Sequence, residues 1–209
     1  MPRSLSRRAV LQAGTLVPLL AVPGLVQAGR QLEEPLADSV RTALSAAVAG
    51  SGEPPQPVLG SAIERQAYAH WLAHTSQRLT RYKAHPDERQ EFLQTLWYEA
   101  RRAGLSLSLV LGLIQVESAF RKYAISSVGG RGYMQVMPFW SRLIGNGDDG
   151  LLFQLQPNLR FGCVILRHYL ERERGDLFMA LGRYNGSREQ TAYPQAVLAA
   201  QRQWLHEVD

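Results

Sequence analysis

Residues 105–120 read LSLSLVLGLIQVESAF, and this stretch decides the fold. Leu107, Leu109, Val110, Leu111, Leu113, Ile114 and Val116 are too many apolar side chains for the single stripe of a surface helix. A helix that is apolar on all sides belongs inside a protein, so the stretch predicts a buried helix from Leu107 to about Phe120. Ser106 is placed to cap it, and Gly104 to stop the helix before it. Glu117 is the first charged residue after Gly104 and stands near the C-terminal end of this helix.

Outward from this helix the signals stay helical. Upstream, Ser61 and Glu64 have capping-box spacing, and Ile63, Ala67, Tyr68, Trp71, Leu72, Leu79 and Tyr82 follow a helical stripe. His85-Pro86-Asp87-Glu88 opens the next helix, with proline in the first turn and acids at its positive end. Phe92, Leu93, Leu96, Trp97 and Ala100 make the buried face of that helix. Downstream, helices are predicted over Met134 to Ile144, Pro157 to Arg172, Leu177 to Tyr184 and Tyr193 to Trp204. An irregular stretch from Lys122 to Tyr133 carries Gly129, Gly130 and Gly132. No alternating strand of useful length appears, so the fold class is mainly α.

The chain has 209 residues, 45% apolar and 20% charged, which suits one packed domain with short extensions and excludes a disordered tail or a polytopic membrane protein. Met1 to Ala28 has the layout of an export signal: Arg3, Arg7 and Arg8, then an uncharged stretch from Ala13 to Val26, then small residues that a signal peptidase accepts. Cleavage is expected after about Ala28. Ser6-Arg7-Arg8-Ala9-Val10-Leu11 is similar to a twin-arginine signal, and both export routes stay open. Residues 29–60 read as a tether with one helix, Leu36 to Val48, followed by a Gly- and Pro-rich link. Residues 61–209 read as the domain. Loss of the signal removes three arginines and no acid, leaving 20 basic against 18 acidic side chains, so the basic balance is no nucleic-acid footprint. Cys163 has no partner for an internal disulfide and reads as a small core side chain.

The chemistry centres on Glu117. Desolvation against Leu113, Ile114 and Phe120, and the negative end of the helix dipole, both disfavour its carboxylate and should raise its pKa. Arg121 and Lys122 oppose this if they fold back. A carboxylic acid that keeps its proton near neutral pH is what a general acid needs to protonate a departing sugar oxygen. On the helix pattern alone, an exposed glutamate where a helix leaves the core is the favoured reading, and the sequence around Glu117 shifts the balance.

Glu117-Ser118-Ala119-Phe120, then Gly132-Tyr133-Met134-Gln135-Val136-Met137-Pro138, then Tyr184-Asn185-Gly186 closely resemble the soluble lytic transglycosylase catalytic domain, a family with the lysozyme-like fold. Pro157-Asn158-Leu159, Gly162, Tyr169-Leu170 and Tyr193-Pro194 with Val197 continue the pattern, so the resemblance runs from Pro86 to about Trp204. It implies that Glu117 is the catalytic acid and base. It also implies that Ser126 stands near the substrate N-acetyl group, that Gln135 and Met137 line the cleft beside the acid, and that Tyr184 and Asn185 form the opposite wall. Tyr133 stands where the family usually has Leu, Arg183 where it has Ala, and Gly186-Ser187 where it has Ala-Gly. These departures leave the acid untouched.

Most glycosidases need two carboxylates, yet no Asp or Glu occurs from Ser118 to Gly147. Asp148 and Asp149, in a Gly-rich loop, read best as turn residues. One acid suits the family's reaction: cleavage between N-acetylmuramic acid and N-acetylglucosamine of peptidoglycan, with the muramyl 6-hydroxyl closing a 1,6-anhydro ring. The expectation is therefore an exported periplasmic lytic transglycosylase acting on glycan strands with no metal or organic cofactor. Two alternatives are kept: a lysozyme-type hydrolase, and a wall-binding module serving a secretion or conjugation apparatus. His70 and His74 have the i, i+4 spacing of zinc ligands, but Trp71 stands where a zinc protease needs Glu. The aromatic residues Tyr133, Phe139, Trp140 and Tyr184 read either as stacking platforms for sugars or as core, with core favoured for Phe139 and Trp140.

Overall fold

The structure is a computed structural model that describes residues 31–49, 57–188 and 190–208. The expected export signal and most of the Gly- and Pro-rich link lie outside these residues. The described residues form eight α-helices: α1 (Asp38–Val48), α2 (Ala62–Leu79), α3 (Pro86–Arg102), α4 (Leu107–Ser118), α5 (Pro138–Ile144), α6 (Leu155–Arg172), α7 (Leu177–Asn185) and α8 (Ala192–Trp204). A short 3-10 turn, Asp149–Phe153, leads into α6. Among the described residues there is no strand, only single bridges between Ile125 and Arg131 and between Arg131 and Val136. The fold is mainly α, as the apolar pattern predicts.

The helix starts follow local chemistry. Ser61 Oγ accepts from the Glu64 amide at 3.1 Å while Glu64 Oε2 accepts from the Ser61 amide at 3.2 Å, which completes the expected capping box. Ser106 caps α4 through the Leu109 amide at 3.3 Å, and Asp176 caps α7 through the Met179 amide at 3.0 Å. Pro86 and Pro138 occupy first turns, where a missing N–H costs nothing.

Helix α4 is the central strut. Its residues Leu107 to Ile114 are all buried. It lies directly against α8, and Gly112 sets that approach: a Cβ there would stand 2.5 Å from the Gln201 backbone nitrogen. Helix α6 forms a second buried layer against α3, α7 and α1. Gly162 on α6 leaves room for Met134, whose Sδ would be 2.3 Å from an added Cβ. The α3–α6 contact also holds a buried ion pair, Arg160 Nη2 to Glu99 Oε1 at 2.8 Å.

Three local expectations differ from the structure. Helix α4 ends at Ser118 because Ala119 and Phe120 adopt left-handed φ angles of 48° and 61°. Helix α5 begins at Pro138 rather than Met134, since Gln135 is also left-handed (φ 49°) and Val136 is bridged to Arg131. The α2 stripe begins late: Ile63 is 80% exposed, while Trp71, Thr75 and Leu79 carry the buried face. Helix α1 sits on α5 and α6 with Leu44 and Val48 buried, and its C-terminal end is tied down by Arg102 to the Ala47 carbonyl (2.7 Å) and Arg160 to the Ala49 carbonyl (3.1 Å).

Candidate active site

Glu117 leaves the last turn of α4, where two successive left-handed residues break the helix and send the chain into the 121–137 loop. Non-glycine residues in that region store about 1–3 kcal/mol of strain each, and such strain concentrates at working sites. The side chain turns inward and is only 6% exposed. Its Oε1 receives a short hydrogen bond from the Tyr193 hydroxyl, contributed by α8. Its Oε2 is buried with no hydrogen-bond partner among the described residues.

Burial raises the Glu117 pKa to about 8, and the Tyr193 hydrogen bond opposes that rise. Neither a second carboxylate nor a cation contributes to the shift. Arg121 bonds the Ser118 carbonyl at 2.9 Å instead of folding back on the acid. Burial therefore favours the protonated form at neutral pH, with one carboxyl oxygen bonded by Tyr193 and the other buried without a partner among the described residues.

Tyr184 is close enough for the Glu117 charge to act on it. Its pKa lies well above the usual tyrosine value, first through burial and then through Glu117. The Tyr184 hydroxyl donates to the Met134 carbonyl at 2.8 Å, which fastens α7 to the 132–137 segment. Met137 is half-buried at the end of that segment, and its amide donates to Gln31 Oε1 at 3.3 Å. Glu117, Tyr184 and Tyr193 thus form one group, and Met134 and Met137 adjoin it.

Ser126 and Gln135 belong to the loop scaffold. Ser126 Oγ accepts from the Gly130 amide at 2.9 Å, and Gln135 Nε2 donates to the Ala124 and Gly132 carbonyls at 3.1 and 2.8 Å. These bonds pin the irregular loop that borders the acid. Asn185 Nδ2 donates to Ser187 Oγ at 2.9 Å, while its Oδ1 is buried without a partner. Phe139 and Trp140 are buried, as their core reading requires. Tyr133 is buried too, its hydroxyl accepting from Lys83 Nζ at 2.8 Å.

Asp148 caps the 3-10 turn through the Gly150 amide, and Asp149 is held by Arg142 at 3.6 Å and Arg131 at 3.9 Å. Both acids are occupied as turn residues. Among the described residues, no three His, Cys, Asp or Glu side chains are arranged to hold a metal ion. The His70 and His74 rings lie beside His206, on the surface of α2.

The residue that sequence reasoning missed is Tyr193. It was visible as part of the Tyr193-Pro194 motif, but its bond to Glu117 spans 76 positions and has no local signature.

The profile described as "Transglycosylase SLT domain" matches residues 95–203. The membrane-bound lytic murein transglycosylase C of Actinobacillus pleuropneumoniae serotype 5b (strain L20) is 43% identical over 85 residues, 37% of this chain and 23% of that protein. The protein of the same name from Mannheimia succiniciproducens is 43% identical over 49 residues, 23% of this chain and 14% of that protein. The chain thus spans less than a quarter of the length of these relatives. A solved structure, an inactive mutant of the lytic transglycosylase Slt from Pseudomonas aeruginosa, superposes with a TM-score of 0.49 at 24% identity, covering 67% of this chain and 29% of that one. The profile match covers more than half of the chain and contains Glu117, Tyr184 and Tyr193, so the chain belongs to the transglycosylase SLT domain family.

Proposed function

We propose that this chain is a peptidoglycan lytic transglycosylase that cleaves the β-1,4 bond between N-acetylmuramic acid and N-acetylglucosamine, with Glu117 as its only acid and base. The observation that carries this reading is the Glu117 carboxyl itself: buried, protonated up to about pH 8, and shifted by burial rather than by a second carboxylate. A two-carboxylate hydrolase needs a partner that stays ionised beside the acid. The next acids along the sequence, Asp148 and Asp149, are engaged in a cap and in arginine pairs, and Glu99, the nearest one before Glu117, is paired with Arg160.

In the first step Glu117 donates its proton to the glycosidic oxygen as the bond from that oxygen to the muramyl anomeric carbon breaks. The substrate's own acetamido group shelters the positive charge that develops at that carbon. Glu117, now a carboxylate, takes the proton of the muramyl 6-hydroxyl while that oxygen attacks the anomeric carbon. The 1,6-anhydro ring closes, the acid is restored and no water is consumed. A nucleophile already attached to the reacting sugar supplies the entropic advantage of an intramolecular reaction. The Tyr193 hydroxyl fixes Oε1, which leaves Oε2 to carry the proton to the sugar.

Residues 61–209 form the catalytic unit in this reading, with Ser126, Gln135, Met137, Tyr184 and Asn185 shaping the glycan site. The work takes place in the periplasm after loss of residues 1–28. Among the described residues no helix is long and apolar enough to cross a membrane. A secretion or conjugation apparatus that needs a local opening in the wall is the partner class we assign.

Digestion of purified sacculi followed by mass spectrometry tests the reaction. Muramyl ends one water lighter than a reducing sugar are the expected products. Reducing ends would assign a lysozyme-type hydrolase instead, and intact sacculi with bound protein would assign a wall-binding module.

A further inference from the structure

Gln31 is the first described residue, far from Glu117 in sequence, yet it is only 4% exposed and its side chain lies in the candidate site. Its Oε1 accepts from the Met137 amide at 3.3 Å, and the side chain offsets part of the rise in the Tyr184 pKa caused by burial and Glu117. Three residues on, Glu34 bridges two arginines: Arg172 at the end of α6, and Arg183, next to Tyr184, at 3.1 Å. Leu36 then joins the edge of the core before α1 begins. The segment thus crosses from the acid's surroundings to α1. Meanwhile Glu117 Oε2, which must reach a sugar oxygen, has no exposed surface.

A glutamine side chain ends in a carboxamide, the functional group that an N-acetyl sugar presents as its acetamido arm. Both offer a carbonyl oxygen to a backbone N–H, and both cannot occupy one donor at once. We propose that residues 31–36 are an autoinhibitory strap, in which the Gln31 carboxamide takes the place of a sugar acetamido group on the Met137 amide and must be displaced before glycan reaches Glu117.

The contacts suit a strap that lets go. The Met137 to Gln31 bond is long at 3.3 Å, and Gln31 Nε2 is buried without a well-aligned partner, so a better-fitting acetamido group wins the site. Leu32 is 62% exposed and adds little apolar anchoring. The Glu34 pairs are a third exposed on the glutamate side, where salt screens them. A strap that is mostly closed lowers apparent affinity by the fraction of molecules that are open.

This inference rests on the glycan-cleaving reading of the site, so its test uses binding and turnover separately. Calorimetry with a neutral N-acetylglucosamine oligomer is run on the signal-free protein carrying Glu117→Gln, with and without Gln31→Ala and Glu34→Gln. The released strap should bind about threefold to tenfold tighter. Roughly tenfold higher salt should tighten binding to the protein with its strap intact and leave the released variant unchanged. This second readout needs no substitution in the strap and stands if the double variant fails to fold. Unchanged or weaker binding, or no salt effect, overturns the strap. If sacculi are cleaved by the protein bearing Glu117 while binding is unaltered, only the strap fails. If neither cleavage nor oligomer binding occurs, the reading of the site fails and the strap with it.

Discussion

A carboxyl group that keeps its proton to about pH 8 leaves two signatures, one in rate and one in stability. In rate, kcat/KM should hold steady through neutrality and fall as pH rises past about 8, as the acid is lost. Glu117→Gln keeps the size and removes the proton, so turnover should drop by about a thousandfold or more with the far-UV circular dichroism unchanged. In stability the sign runs toward acid. The folded state holds a proton that the unfolded chain releases near 4.5, so stability declines as pH rises from about 4.5 to about 8 and then levels off. At pH 7 that cost amounts to about 3 kcal/mol, and Glu117→Gln removes it. Urea midpoints should therefore be similar for both proteins at pH 4.5 and higher for the variant at pH 8. Tyr193→Phe takes away the one interaction that lowers the Glu117 pKa. Its alkaline limb should move to higher pH, and kcat should fall about tenfold because the carboxyl loses its fixed orientation, with KM little changed. An alkaline limb that stays in place would show that the hydroxyl does not act on the acid. Glu117 stood out in the sequence as a single charge in a run of apolar residues, but its reading as the acid came from the motifs around it, since that helix pattern alone suits an exposed glutamate. The contacts around it were not legible, because Tyr193 bonds the acid from far along the chain and Gln31 bonds the adjoining Met137 from the opposite direction.

The site is only as good as the two helices that carry it, and α4 and α8 meet at Gly112. A methyl group there would stand 2.5 Å from Gln201 N and 2.8 Å from Gln201 Cα, both rigid backbone atoms. Gly112→Ala must push α8 away from α4, against the usual gain in helix propensity of about 1 kcal/mol for this change. Overpacking of this kind costs about 1–3 kcal/mol or more, so the urea midpoint should fall. Because Glu117 rides on α4 and Tyr193 on α8, the same shift lengthens their hydrogen bond and should lower kcat as Tyr193→Phe does. Lower stability with an intact rate would mean that the helices repack without disturbing the pair. Elements were readable where a cap or a stop is local, as at Ser61, Ser106 and Gly104. They were misread where the backbone leaves ordinary regions: nothing in Met134-Gln135-Val136 announces that Gln135 turns left-handed. That turn depends on contacts to Ala124 and Gly132 made across the loop.

For the whole molecule, one buried ion pair links three layers. Glu99 on α3 is 1% exposed and Arg160 on α6 is 3% exposed; the arginine reaches both carboxylate oxygens, and Gln156 adds a bond at 3.1 Å. The same arginine donates to the Ala49 carbonyl at the end of α1. A pair this deep contributes little net stability, since desolvation offsets the attraction, but removing Arg160 leaves buried Glu99 only the part-exposed Arg102 at 3.9 Å, at a cost of about 3–5 kcal/mol. Arg160→Met should therefore lower the thermal midpoint by roughly 10 °C, given about 2–4 °C per kcal/mol for a chain of this size. Glu99→Leu combined with Arg160→Met leaves no stranded charge and should recover most of that loss. What the double variant cannot restore is the tie to α1, so amide hydrogen exchange in residues 38–48 should remain faster than in the unaltered protein. If the strap preceding α1 depends on that helix for its seat, loosened α1 amides and tighter oligosaccharide binding should appear together in the double variant. Loss of global stability alone would produce the first without the second.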